Sequence, residues 1–243
     1  MTHNPLILPL DVSTQAAAMA AALRLRAHVG LVKVGLELFV QCGPAMVRTL
    51  VTERLRIMLD LKLHDIPHTV QRATANVAGL GAELLTIHAG GGAAMLRAAR
   101  AAVDAHEQTS GTPGPRLLAV TVLTSISAQM AREELGVARA LPDQVVALAR
   151  MAQDAGCAGV VASPQEITAV RAACGRDFLI VTPGVRPAGA DHGDQQRVCT
   201  PGEAIRAGAD YLVVGRPILA APDPAAAAQA ILAECAAAWE HCA

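Results

Sequence analysis

The run Ile57-Met58-Leu59-Asp60-Leu61, the stretch Pro67-His68-Thr69-Val70-Gln71-Arg72-Ala73-Thr74-Ala75-Asn76-Val77-Ala78-Gly79 and the run Leu84-Leu85-Thr86-Ile87-His88 together decide the fold. The two outer runs are too short and too uniformly apolar for an amphipathic helix, and suit parallel strands buried on both faces. The segment between them has helical spacing, opens on a proline and closes on a glycine, the residues tolerated at a first helical turn and favoured just past a last one. One strand-helix-strand unit is the expectation.

The same beat runs outward in both directions. Further strand-like runs lie at Leu6–Leu10, Leu31–Gly35, Leu117–Leu123, Gly159–Ala162, Phe178–Thr182 and Tyr211–Val214. Stretches with helical spacing include Ser13–His28, Ala93–Glu107, Asp143–Gly156, Pro164–Cys174 and Pro224–His241. Pro142, Pro164 and Pro201 fall at expected helix starts, and Gly30, Gly156, Gly175 and Gly208 at expected ends. Eight strand runs alternating with helical runs predict an α/β fold, a (β/α)8 TIM barrel. An open doubly wound sheet usually has fewer strands, and its G-x-G-x-x-G turn is missing after the first run. No linker breaks the chain, so residues 1–243 are read as a single domain. Two connections exceed the beat, Ser125–Leu141 with a short helical piece at Ala131–Leu135, and Gly184–Val198; in a barrel both sit at the C-terminal face.

Composition limits the partners. The chain of 243 residues is 53% hydrophobic and 17% charged, which excludes intrinsic disorder. Twenty basic against 21 acidic residues give a net charge of −1, and aromatics are 2%, so neither a phosphate-tracking patch nor a stacking platform for nucleic acid is present. No apolar run reaches the roughly 20 residues of a membrane span, and the start Met1-Thr2-His3-Asn4-Pro5 lacks the character of a signal peptide. The six scattered cysteines form no C-x-x-C pair and read as reduced thiols of a cytoplasmic protein, with no zinc site.

Charges are rare, which makes those at strand ends informative. Asp11 ends the first strand, Lys33 lies inside the second, and Asp60 and Lys62 close the third, with Asp65 following. Residues two apart on a strand share a face, so Asp60 and Lys62 point the same way and Asp11 and Lys33 can converge on them. An isolated charge in a dry barrel mouth is costly, and alternating acids and bases offset that cost by pairing. The bland alternative is a salt-bridge network at the rim. A lysine held between carboxylates suits proton delivery to carbon next to a departing carboxylate. Two like charges about 4 Å apart at an effective dielectric near 20 repel by roughly 4 kcal/mol. Enzymes commonly lower barriers by roughly 8–23 kcal/mol, so stabilisation of a carbanion by the ammonium and binding of remote groups must supply the larger share. The remote group reads as a phosphate, met by Val214-Gly215-Arg216-Pro217 after the eighth strand, with Arg186 and Gln195 of the seventh loop able to close over it.

The stretch Leu59-Asp60-Leu61-Lys62-Leu63-His64-Asp65-Ile66-Pro67-His68-Thr69-Val70 resembles the D-x-K-x-x-D-I-P-x-T signature of the orotidine 5′-phosphate decarboxylase family. The resemblance continues through Leu10-Asp11, Lys33-Val34-Gly35, Thr86-Ile87-His88-Ala89, Leu123-Thr124-Ser125, Val181 to Arg186, Gly193-Asp194-Gln195 and Val214 to Pro217. It implies a cofactor-free barrel converting orotidine monophosphate to uridine monophosphate, with no bound metal. By that resemblance Lys62 is the proton donor, Asp60 stresses the substrate carboxylate, and Lys33 holds the array and the ribose. Asp11 meets ribose hydroxyls, Thr124 and Ser125 the pyrimidine, and Arg186, Gln195, Gly215 and Arg216 the phosphate, with Pro183 in the same binding set. Asp65, catalytic in that scheme, and the Ile66–Thr69 turn are implied to reach into the partner subunit's site of a homodimer. Leu63, His68 and Val122 depart from the residues many members carry, and Pro9 in the first strand costs a ladder hydrogen bond. Two other readings stay open: a magnesium-dependent sugar-phosphate decarboxylase or aldolase with a similar motif, and a barrel that binds a nucleotide without turnover. His64, His68 and His88 raise a metal reading, against which strand-end lysines would repel a cation.

Overall fold

The computed structural model describes residues 3–187 and 199–240. Eight parallel strands close into a barrel in sequence order: β1 (Leu6–Pro9), β2 (Leu31–Gly35), β3 (Ile57–Leu63), β4 (Leu84–His88), β5 (Arg116–Val120), β6 (Gly159–Val161), β7 (Leu179–Thr182) and β8 (Tyr211–Val213). Closure comes from β1 pairing with β8, where Leu6 stands opposite Leu212 and Ile7 opposite Val213. The (β/α)8 expectation is met.

Helices α1 (Gln15–Leu25), α2 (Leu36–Thr52), α3 (Pro67–Ala78), α4 (Gly92–Ser110), α5 (Ala128–Glu133), α6 (Leu141–Asp154), α7 (Ile167–Cys174), α8 (Pro201–Ala207), α9 (Arg216–Leu219) and α10 (Pro224–Glu240) connect and cover the strands. The punctuation works as read: Pro67 and Pro201 open α3 and α8, Pro142 lies in the first turn of α6, and Pro164 opens a short 3-10 turn before α7. α8 also carries a capping box, Thr200 with Glu203, which satisfies two orphan N–H groups at once.

Both faces of the strands are dry along most of their length. Outward residues such as Leu8, Val32, Leu59, Leu85, Ala119 and Ile180 pack under the helices, while Ile7, Leu31, Met58, Leu84, Leu118, Val181 and Tyr211 form a separate cluster filling the barrel. This two-faced burial explains why the strands lack alternation in sequence.

Boundaries differ in places. β5 ends at Val120 rather than Leu123, because pairing with the short β6 stops at Val120 opposite Val161 and the chain then turns across the barrel mouth. The short helix expected at Ala131–Leu135 is α5, which starts earlier because the Ser127 hydroxyl accepts the Met130 N–H. β3 runs on to Leu63 through an irregularity described below. Among the described residues the cysteines are free thiols, and burial pushes Cys157 and Cys235 up to about 12. No helix among the described residues is long and apolar enough to cross a membrane.

Candidate active site

Climbing two residues at a time from the cluster inside the barrel, the strands divide into two groups. β1 goes from Ile7 to Pro9 and Asp11, β2 from Leu31 to Lys33 and Gly35, β3 from Met58 to Asp60 and Lys62, and β4 from Leu84 to Thr86 and His88. β5 continues Leu118, Val120, Val122; β6 offers Val161, β7 runs from Val181 to Pro183, and β8 from Tyr211 to Val213 and Gly215. The C-terminal mouth is therefore charged on one side and apolar on the other.

On the charged side four groups form a chain. Lys33 Nζ donates to Asp11 Oδ1 at 3.1 Å and lies 3.4 Å from Asp60 Oδ2. Lys62 Nζ donates to both oxygens of Asp60 at 2.9 Å. The side chains of Lys33 and Asp60 are about nine-tenths buried, Lys62 is one-third exposed and Asp11 mostly exposed. Burial pushes the Asp60 carboxyl up, but Lys33, Lys62 and the Thr86 hydroxyl outweigh it and hold it below the ordinary carboxylate range. Sequence reasoning expected alternating acids and bases with a lysine between carboxylates; within this chain Lys33 stands between Asp11 and Asp60, Asp60 sits between the two ammoniums, and Lys62 meets Asp60 alone. Asp65 lies exposed with its Oδ1 accepting the Ile66 N–H, and does not approach Lys62.

Strand alternation puts Asp60 and Lys62 on one face, yet it is not what brings them into contact. β3 and β4 pair Leu59 with Leu85 and then Leu63 with Ile87, so Asp60, Leu61 and Lys62 face the single residue Thr86. Lys62 takes a left-handed conformation, φ 48°, uncommon for a residue with a side chain. The Thr86 hydroxyl, fully buried, donates to Asp60 Oδ1 and accepts the Lys62 backbone N–H, both at 2.9 Å. Thr86 was not singled out from sequence. Its signal was a polar residue at an inward position level with Asp60 in an otherwise apolar run.

Two chambers open at the mouth. The smaller, about 190 Å³, has Lys33, Asp60 and Lys62 on one wall and Val120, Val122, Val161 and Val213 opposite, with Thr124 and Pro183 at its edge. The larger, about 550 Å³, shares Lys33, Pro183 and Val213 with the first and extends to Asp11, Arg186, Gly215 and Arg216. Arg186 is buried rather than solvated; its Nη1 donates to Val185 O and its backbone N–H to Cys199 O. Gly215 caps α9, and a Cβ built on it would lie 2.7 Å from Pro9 Cγ, so this position needs glycine because the Pro9 ring presses against it. Pro9, unexplained from sequence, is thus part of the wall beneath Gly215. A Cβ on Gly35 would come within 3.0 Å of Lys33 Nζ.

Several named residues stand apart from the chambers. Ile66 and Thr69 are exposed along with the whole turn from His64, and Ser125 is exposed beside Thr124 without lining either chamber. Gln195 lies outside the described residues, as do Gly193 and Asp194. His64 and His88 stack at 5.0 Å between ring centroids, over the Gly90-Gly91 turn. Burial, with His64 and Lys62 adding to it, pushes His88 below its ordinary value, and its buried Nδ1 has no hydrogen-bond partner among the described residues. Among the described residues no three His, Cys, Asp or Glu side chains gather as a metal-binding group.

Comparison with known proteins supplies the family. The family described as Orotidine 5′-phosphate decarboxylase / HUMPS matches residues 4–231. The orotidine 5′-phosphate decarboxylase of Moorella thermoacetica is 53% identical over 231 residues, covering 95% of this chain and 92% of that protein. That of Syntrophotalea carbinolica is 51% identical over 239 residues, covering 98% of each. The crystal structure of orotidine 5′-phosphate decarboxylase from Lactobacillus acidophilus superimposes with a TM-score of 0.84 at 39% identity, covering 96% of this chain and 99% of that one. With matches of this length and identity, the chain belongs to the orotidine 5′-phosphate decarboxylase / HUMPS family.

Proposed function

We propose that this chain, as one domain, is a carboxy-lyase that converts orotidine 5′-monophosphate to uridine 5′-monophosphate, a step of pyrimidine nucleotide synthesis, without metal or cofactor. The observation that carries the reading is the Asp11–Lys33–Asp60–Lys62 chain at the junction of two chambers, one half-apolar and of base size, the other reaching Arg186 and Arg216. The pyrimidine enters the smaller chamber beside Thr124, with its carboxylate toward Asp60. Ribose hydroxyls meet Asp11 and Lys33. The phosphate occupies the larger chamber against the Gly215 backbone, Arg216, Arg186 and Gln195, with Pro183 between the chambers, and Ser125 joins Thr124 at the pyrimidine.

In the reaction the ring carbon–carboxylate bond breaks, the electron pair stays on the ring carbon and CO2 departs. Lys62 Nζ passes a proton to that carbon and recovers one from water. Asp60 and Lys33 hold Lys62 in place, and the ammonium's field stabilises the developing carbanion in a site walled by valines. A magnesium-dependent reaction is less well supported by the donor set, since Asp60 is engaged by two ammoniums.

Asp65 acts across a homodimer in this reading. Support comes from the exposed turn 64–69, with Ile66 at 66% exposure, and from Leu36 and Val40 at 52% and 81%, apolar residues that follow adjacent strands and need cover. Asp65 from a partner would give Lys62 the second carboxylate that its own chain does not. We place the protein in the cytoplasm, with neither a nucleic acid nor a membrane as partner, in keeping with its free thiols and its balanced charge.

The test is turnover of orotidine 5′-monophosphate by purified protein, followed by loss of substrate absorbance with and without chelator. Equal rates in both support the reading. Absence of turnover, or turnover only with added divalent metal, overturns it.

A further inference from the structure

Between the pairs Leu59–Leu85 and Leu63–Ile87, three residues of β3 oppose one residue of β4. Such an irregularity leaves backbone groups without ladder partners and re-aims side chains. Here the single opposing residue resolves both consequences with its side chain. Thr86 Oγ1 accepts the N–H of Lys62, the third of the three, and donates to the carboxylate of Asp60, the first. The hydroxyl has one proton, and because the Lys62 N–H occupies its lone-pair side, that proton is committed to Asp60. The residue is fully buried, so water cannot take over either bond.

We infer that Thr86 is a positioning residue that fixes the backbone of Lys62 and the carboxylate of Asp60 relative to each other. This rests on the decarboxylase reading of the site. The left-handed conformation of Lys62 is what lets its side chain fold back on Asp60, and it is unfavourable for a non-glycine residue unless its surroundings hold it. The Thr86 bond to the Lys62 N–H is a holding contact at that residue. The bond to Asp60 restrains the rotation of the carboxylate that receives Lys62 Nζ from one side and Lys33 Nζ from the other. A proton donor displaced by an ångström loses its geometry for transfer even when its charge remains. Thr86 touches neither the proposed substrate nor the proton in flight; it acts through the two residues that do.

The experiment compares Thr86→Val, which keeps the size and removes both bonds, with Thr86→Ser, which keeps both. For Val, kcat falls about 10- to 100-fold, the loss expected of one buried hydrogen bond to a charged group. Affinity for uridine 5′-monophosphate stays near that of wild type, and Ser recovers most of kcat. The acid limb of the kcat profile moves to higher pH in Val, because Asp60 loses a donor that favours its ionised form. Asp60 is faced by Lys33 from β2 and Lys62 from its own strand, with Asp11 behind Lys33 and the His64–His88 pair beside Lys62, and all of these are unchanged in the variant. Wild-type kcat in the Val variant overturns the inference, as does an equal loss in Val and Ser. Should the Val variant fail to fold, Thr86→Ala replaces it with the same expected loss. Inactive wild-type protein would instead count against the decarboxylase reading, so the two failures are told apart.

Discussion

Replacement of Gly215 by alanine tests the phosphate end of the site with an internal control. Gly215 has φ −104°, outside the left-handed region that favours glycine. The difficulty is contact. Its Cβ would lie 2.7 Å from Pro9 Cγ and 3.6 Å from Pro9 Cδ, against an ordinary carbon–carbon separation of about 3.5–4.0 Å. The overlap with Cγ is therefore about 1 Å, and the ring cannot rotate away because proline fixes its own φ and Pro9 is held in β1. The strand cannot yield, so the turn from Val214 to Arg216 must move outward.

Overpacking of this size costs about 1–3 kcal/mol, which becomes about 5- to 150-fold in affinity for a ligand held by that turn. The assay is KM for orotidine 5′-monophosphate together with Kd for uridine 5′-monophosphate; both rise in Gly215→Ala, while binding of uridine, which has no phosphate, is unchanged. The control is the double variant Pro9→Ala with Gly215→Ala. Among the described residues no atom other than those two of the Pro9 ring lies within 4 Å of the added Cβ outside its chain neighbours, so removing the ring restores the space and most of the affinity. A double variant no better than Gly215→Ala alone refutes the steric argument. A loss shared equally by uridine and its monophosphate refutes the placement of the phosphate.

Lys62→Ala removes the proposed proton donor and is expected to lower kcat by at least about 10⁴-fold, the combined scale of lost proton transfer and lost electrostatic stabilisation, while nucleotide binding persists; retention of a tenth of the rate would remove Lys62 from the chemistry. Arg171→Ala addresses the opposite end of the barrel, where the guanidinium donates to the carbonyls of Gly175, Arg176, Phe178 and Gly208 and to Asp210. Its loss strands these acceptors and is expected to cost about 2–4 kcal/mol, a fall in Tm of about 4–16 °C by calorimetry, with kcat at low temperature retained. His88 has a folded value below its unfolded one, chiefly through burial, so stability is full above about pH 6.5 and declines as the pH falls from there toward the folded value. Denaturant titrations of His88→Gln across that window should lose that part of the slope, and an unchanged slope would assign it to other groups.

The barrel was legible because its signals are local. Uniform apolar runs, prolines at helix starts and glycines at helix ends each report on a few neighbouring residues, and parallel strands of a closed barrel repeat that pattern eight times. Asp60 and Lys62 were legible for a related reason: charges inside a run as apolar as Ile57–Leu63 need partners, and alternation says which face holds them. What alternation leaves out is the irregularity opposite Thr86, since register between two strands is a property of the pair and is written in neither alone. The order of the charges is likewise a property of several strands together. The convergence of Lys33 on Asp60 was legible from strand order, whereas the bond by which the Asp65 carboxylate accepts the Ile66 N–H, away from its own Lys62, was not. The Pro9–Gly215 contact joins opposite ends of the sequence through the seam that closes the barrel, and no window of neighbouring residues contains it.

The order of the charges also bears on where the catalytic energy comes from. Asp11, Lys33, Asp60 and Lys62 sum to zero, so this chain's own share of the field an incoming carboxylate meets is that of a neutral quartet in which Asp60 is already shared by two ammoniums, to which Asp65 of the partner subunit would add one negative charge beside Lys62. The repulsion of roughly 4 kcal/mol for an isolated like-charged pair is then an upper bound for what Asp60 alone can impose. An array of this kind loses little repulsion when CO2 leaves. What changes more in the reaction is the position of the negative charge, from the carboxylate by Asp60 to the ring carbon by Lys62. The quartet is already oriented for that second position. The valines opposite exclude water that would otherwise screen it, so the ammonium acts on the carbanion at reduced dielectric with no rearrangement at the moment of transfer. The apolar half of the mouth is thus as much a part of the proposed mechanism as the charged half. Placing a polar residue at Val161, far from any proton, should lower kcat more than it weakens nucleotide binding; a change in binding alone would return the emphasis to ground-state repulsion.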